Sequence, residues 1–171
     1  MKRLTFLAFL ALTLFATTTA KAQLIGVFID DVDKYTNVRS SPGGPIVERI
    51  EAGDMPMLAV ERPRNGWWLI TGGTYEKPDQ GEIELKGSPN NQYWIHYSVI
   101  GVGTRNYGGE TYYLRATPKS RGKVVYSFKD EISLRPIDVR GDWVKVKTYD
   151  GKHTGWIEAE KLCGNSLTNC C

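Results

Sequence analysis

The stretch YTNVRSSPGG, residues 35–44, returns in altered form as YYLRATPKSR, residues 112–121. Arg39 and Pro42 of the first reappear as Arg115 and Pro118, both displaced by 76 positions. An apolar residue precedes each arginine, and two small residues separate it from the proline. Later landmarks keep the same order. Trp67 in RNGWWLI follows Arg39 by 28 residues, and Trp143 in RGDWVKV follows Arg115 by 28. Each tryptophan comes after a glycine-containing turn, and the copies close on Trp94-Ile95 and Trp156-Ile157. Four ordered landmarks in two copies point to one structural unit used twice.

The segments between the landmarks read as strands. Short alternating runs such as MPMLAV, YWIHYSVI and WVKVKTY are bounded by Gly, Pro, Asn and Asp, and no window of a dozen residues keeps helical spacing. In WVKVKTY, Val144 and Val146 face one way while Trp143, Lys145 and Lys147 face the other. Asp150-Gly151 in TYDGKHTGW predicts a two-residue hairpin turn with positive φ at both positions. The expected class is all-β.

The first 22 residues read as a cleaved signal peptide: Lys2 and Arg3, an apolar run from Leu4 to Ala16, and Ala20-Lys21-Ala22. The apolar run is short for a bilayer span, so a chain starting at Gln23 is expected outside the cytoplasm, periplasmic or secreted and not membrane-spanning. No cysteine stands near the cleavage site to carry a lipid. Removing the leader also removes Lys2, Arg3 and Lys21, which leaves 19 basic residues against 19 acidic ones. Such a balance argues against a non-specific nucleic-acid partner, which needs a basic stripe.

The order of landmarks resembles the bacterial SH3-like (SH3b) family, whose members read N-V-R-S-x-P, then a strand and turn, then N-G-W-x-x-V, then G-W-(I/V). Asn37, Val38, Arg39, Ser40 and Pro42 match the opening, Ile46, Val47, Ile50 and Gly53 the strand and turn. Asn65, Gly66, Trp67 and Ile70 match the third element, and Trp94 with Ile95 the close. The second copy matches through Leu114, Arg115, Pro118, Val124, Val125, Trp143, Val146, Gly155, Trp156 and Ile157. It departs at Tyr113, where the family prefers Asn, and at Lys129-Asp130, where Gly is usual. The resemblance implies two tandem five-stranded barrels, over residues 23–101 and 102–162, with the glycine-rich GVGTRNYGGE between them and a cysteine-rich tail at 163–171.

Candidate ligand-binding residues are the aromatic ones near the landmarks: Tyr35, Trp67, Tyr93, Tyr112 and Trp143. Aromatic rings offer large contact area with a polar handle. Trp67 and Trp68 must lie on opposite faces of one strand, so both cannot be core. Trp94 and Trp156 are expected to be structural. Arg39 and Arg115 are expected to tie down turn carbonyls, the alternative being a ligand carboxylate. The first copy is 14 residues longer between its tryptophans, Trp67 to Trp94, than the second, Trp143 to Trp156. The excess lies within residues 71–92 and predicts a hairpin excursion with an extra strand at Glu82 to Lys86. Asp30, Asp31 and Asp33 lack the glycine and distal glutamate of a calcium loop, and read as a turn cluster.

All three cysteines lie in the tail, at Cys163, Cys170 and Cys171. Cys163 is expected to pair with Cys170 or Cys171, since vicinal bridges are strained. The odd thiol opens a route to a disulfide-linked dimer. Neither His96 nor His153 stands in a catalytic motif, and two barrels leave too little chain for a catalytic domain. No cofactor or metal is implied. The expected function is a non-catalytic module that recognises cell-wall peptide (peptidoglycan) or another extended peptide. The alternative is a cell-envelope protein–protein interaction factor such as an inhibitor or immunity protein.

Overall fold

A computed structural model describes residues 24–51, 57–105 and 108–164. The first 22 residues, read from the sequence as a leader, and Cys170 and Cys171 lie outside these described residues. The first half carries β1 (Ile25–Ile29), β2 (Tyr35–Arg39), β3 (Ile46–Glu51), β4 (Met57–Arg64), β5 (Trp67–Lys77), β6 (Gly81–Glu84) and β7 (Tyr93–His96). A 3₁₀ turn at Tyr97–Val99 leads into β8 (Ile100–Thr104), followed by β9 (Tyr112–Arg115), β10 (Val124–Phe128) and β11 (Ser133–Arg140). Then come β12 (Trp143–Thr148), β13 (Thr154–Glu158), a 3₁₀ turn at Ala159–Lys161 and β14 (Leu162–Cys163). The class is all-β, and the strands join in one open antiparallel path, β10-β9-β13-β12-β11-β8-β1-β4-β5-β7-β2-β3.

One pairing scheme occurs in both halves. The ladders β4–β5, β5–β7, β7–β2 and β2–β3 recur as β11–β12, β12–β13, β13–β9 and β9–β10. Equivalent landmarks meet in equivalent registers: Arg39 opposes Trp94, and Arg115 opposes Trp156. The halves join through β8, which holds the start of the glycine-rich stretch expected to be a connection. Successive residues of a strand turn their backbone groups to opposite edges. Thr104 donates to the Ile132 carbonyl on one edge, while Val99 accepts from Asp30 and Arg105 donates to Lys161 on the other. On that second edge β1 pairs with Ile100 and Gly101, and β14 pairs with Gly103 and Thr104. β1 and β14 meet where Gly26 touches Gly164, and a Cβ on Gly164 would collide with the Gly26 backbone.

Inward positions follow the alternation. Val38, Ile50, Val60, Ile70 and Ile95 in the first half, and Leu114, Leu134, Val144, Val146 and Ile157 in the second, belong to one buried cluster. Trp68 is wholly buried, and its indole N–H donates to the Pro136 carbonyl of β11 at 2.9 Å. Arg135 adds a second tie between the halves. Its guanidinium donates to the carbonyls of Asp30 (3.0 Å) and Ile100 (2.9 Å), pairs with the Asp30 carboxylate at 3.2 Å, and lies 4.1 Å from the Tyr149 ring.

Two turn expectations need correction. Asp150-Gly151 is not a two-residue turn with both φ positive: only Gly151 is left-handed, at φ 75°. The connection runs from Thr148 to His153, with Asp150 accepting from the Thr148 hydroxyl at 2.6 Å and the Lys152 N–H at 3.0 Å. These donors hold the Asp150 carboxyl down at about 2. The two-residue signature is met instead at Asn65-Gly66, φ 51° and 82°, between the paired Arg64 and Trp67. The 71–92 excursion is a hairpin, its extra strand β6 lying two residues earlier at its close than expected, and it buries Tyr75 and Leu85.

Candidate functional site

Strand register sorts the aromatic residues onto two faces. Residues directly opposite in an antiparallel pair share a face. In the second half Val144 opposes Ile157 in the core, so Trp143, Lys145, Trp156 and Arg115 share the outer face. Trp156 is nonetheless only 5% exposed, because cationic side chains cover it. The Arg140 guanidinium lies 5.3 Å and the Lys145 ammonium 6.0 Å from its ring. Exposed Tyr113 joins this face, with the Arg115 guanidinium 5.5 Å from its ring.

The outer face of the first half has the same plan with other residues. Trp67 opposes His96, and Leu69 opposes buried Trp94, which opposes Arg39. Trp67 packs between the Arg39 guanidinium at 5.7 Å and the His96 ring at 5.0 Å. The Asn65-Gly66 turn feeds Trp67 into the strand, and Tyr97 returns to donate to the Gly66 carbonyl at 2.9 Å. Burial holds His96 below its ordinary value of 6.5.

The two arginines close their turns in the same manner. Arg39 donates to the Gly44 carbonyl at 2.7 Å, and Arg115 to the Gly122 carbonyl at 3.0 Å. Pro42 and Pro118 sit half-buried within these turns. Asp31 also serves a turn, accepting from the Asp33 N–H at 3.1 Å and the Thr36 hydroxyl at 2.9 Å.

The five candidate residues are not gathered into one groove. Trp67 and Trp143 lie half-buried on equivalent outer faces. Tyr93 opposes Ile70 and therefore faces inward. Tyr112 is core, packed edge-on against Phe128 with centroids 5.6 Å apart. Tyr35 sits at the far end of β2 from Arg39, about 13 Å along the strand, beside a shallow concavity with Asn37, Val47, Arg49 and Lys77. His96, Arg140 and Lys145 complete the outer faces; none was named as a candidate from sequence, although alternation had already placed Lys145 on the Trp143 face. Their one signal was alternation in step with Trp67 and Trp143. The 71–92 hairpin adds a groove of about 400 Å³ in the first half, lined by Arg62, Leu69, Thr71, Ser88, Pro89 and Gln92.

Residues 108–162 match the bacterial SH3 domain. Domains of this family are typically non-catalytic binding modules. The SH3 match takes in β9 to β13, and with them the Arg115 clamp, Trp143 and Trp156. No curated protein sequence matches the chain. Among solved structures, that of NlpC1 from Trichomonas vaginalis is similar over 86% of this chain and 47% of its own, at 10% identity and a TM-score of 0.31. The chain thus spans less than half the length of that structure. Among the described residues, no helix is long and apolar enough to cross a membrane.

Proposed function

We propose that the protein is an extracytoplasmic, non-catalytic binding module built from two tandem SH3-like barrels, each of five strands, that recognises cell-wall peptide or another extended peptide. The observation that carries this reading is the outer face of residues 108–162. There Trp156 lies under Arg140 and Lys145, with Trp143 and Tyr113 alongside. An extended peptide can lay its chain across the rings and set its carboxylates against the cations. The first copy offers Trp67, Arg39 and His96 in the corresponding place. The core positions of Tyr93 and Tyr112 restrict the proposed contacts to Trp67, Trp143 and the exposed residues around them. The leader-like first 22 residues and the tail cysteines support an oxidising, extracytoplasmic setting. We extend the proposal to a bridge from Cys163 to Cys170 or Cys171.

Co-sedimentation of residues 23–171 with purified peptidoglycan sacculi at physiological salt tests this. Pelleting that soluble wall peptides compete away, and that Trp143→Ala with Arg140→Ala reduces, is the expected result. Binding that survives both substitutions would remove the outer face from the reading, and no pelleting at all would remove the wall ligand. A second reading, an envelope protein partner such as the target of an inhibitor or immunity protein, is favoured by the groove beside Arg62. That groove depends on the 71–92 hairpin, for which the second half has no counterpart.

A further inference from the structure

The path of strands ends on β3 at one side and on β10 at the other. Among the described residues, neither strand makes a backbone hydrogen bond along its second edge. Both carry exposed β-branched residues at matching positions, Ile46 and Val47 on β3 and Val124 and Val125 on β10. An edge of this kind is a template for a further strand. The hairpins leading to these edges each contain a bulge, which twists an edge and discourages indiscriminate pairing.

Charge distinguishes the two ends. Residues 112–129 hold five Lys and Arg and no acid. Lys119, Arg121, Lys123 and Lys129 are exposed and make no ion pair among the described residues. The opposite end is acidic. The β5–β6 hairpin is fastened beside β3 by the Lys77–Glu48 ion pair at 3.2 Å. It exposes Glu76, Asp79, Glu82 and Glu84, again without ion pairs among the described residues. The halves follow their ends. Residues 24–101 carry seven basic and eleven acidic residues, and residues 102–162 carry twelve and eight. Residues 23–171, with 19 basic and 19 acidic residues in all, are therefore divided by sign between the two halves.

We propose that this protein associates head to tail with a second copy of itself. The β10 edge and basic hairpin of one copy meet the β3 edge and acidic β5–β6 hairpin of the next. The occupant is a second copy because each end finds its complement on the same chain. Pairing β10 with β10 would set unneutralised cations against each other, and pairing β3 with β3 would do the same with acids. The contact joins two different surfaces, so each copy keeps one end free and the assembly can extend. The proposal does not depend on the wall ligand, because the outer faces are not part of either end.

Sedimentation velocity on residues 23–171, with free thiols alkylated, tests it. Average mass is expected to rise with protein concentration at low salt and to return to the monomer near molar salt, where charges are screened. Two triple reversals, Lys119→Glu/Arg121→Glu/Lys123→Glu and Glu76→Lys/Glu82→Lys/Glu84→Lys, should each weaken self-association by roughly tenfold or more. Mixing these two variants should restore association between them, since one then has two acidic ends and the other two basic ends. Near-UV circular dichroism of the buried tryptophans verifies that both variants are folded. A monomer at every concentration in low salt overturns the proposal. So does association that both reversals leave unchanged. Loss of anionic-vesicle pelleting in the first variant, with no self-association in the parent, would assign the basic hairpin to a lipid surface instead.

Discussion

Arg39 reaches the Gly44 carbonyl across a six-residue turn, whereas Arg115 reaches Gly122 across a turn of eight, residues 116–123. In both halves the accepting glycine stands two residues before the next strand, so the arginine is tied to the end of the turn and not to its length. Both glycines are required by packing. A Cβ at Gly44 would collide with Ser41, and one at Gly122 would approach the Thr117 hydroxyl at 2.7 Å. Length and charge differ between these fixed points. The first turn, SSPGGP, is uncharged, while the second holds Lys119, Arg121 and Lys123. The clamp and the register of Trp94 and Trp156 are what the two halves share; the length and charge of the turn are where they differ.

The sharpest break between the halves lies in the core. Trp68 and Val144 occupy equivalent inward positions, and both are fully buried. Trp68 also carries the buried hydrogen bond to Pro136 across the two halves. Trp68→Ala is expected to cost about 3–5 kcal/mol, and Val144→Ala about 2 kcal/mol. Urea titration of each variant measures this, and equal costs would overturn the expected order.

The clamp comes next. Arg39→Ala or Arg115→Ala leaves a turn carbonyl without its donor, at about 1–2 kcal/mol. Arg39 should cost more, because the Arg115 Nε is buried without a partner among the described residues and its removal is partly compensating. Chemical denaturation of the two variants side by side tests the order. A larger loss for Arg115 would mean that its contact with Tyr113 outweighs the orphaned Nε.

The smallest expected effect is in pH. His96 opposes Trp67, where the second half has Glu158 opposite Trp143. Burial lowers the His96 value, so the fold favours the neutral ring. Its contribution to stability is therefore intact above 6.5 and is lost as pH falls from 6.5 through the lower folded value. Protonation 5.0 Å from Trp67 should also change that residue's fluorescence over the same range. His96→Phe should abolish the change, and a change that persists would assign it to another group.

Much of the fold was legible in the sequence, for a local reason. Alternation put Trp67 and Trp68 on opposite faces, and the spacing of Arg39, Trp67 and Trp94 against Arg115, Trp143 and Trp156 exposed the recurring unit. Arg39 and Arg115 as turn clamps also followed locally, since donor and acceptor lie on one hairpin. The candidate site was less legible. Tyr93 and Tyr112 were grouped with Trp67 by proximity to landmarks, but a shift of one residue along a strand exchanges outside for inside. Asp150-Gly151 carried a valid turn signal, yet the side-chain bonds of Asp150 hold a longer connection in place.

What the sequence determined by itself was the strand content, the repeated landmarks and the equal counts of basic and acidic residues over positions 23–171, because each depends on residues near in the chain or on a simple count. Tertiary structure alone decided that Gly101 to Thr104 form part of a strand joining both halves, that Trp68 closes the contact at Pro136, and that the acidic β5–β6 hairpin lies beside β3 while the basic hairpin leads into β10 at the other end of the path. Those features depend on pairing between residues far apart in the chain, whose register is fixed by the packing of the whole core and by no local preference.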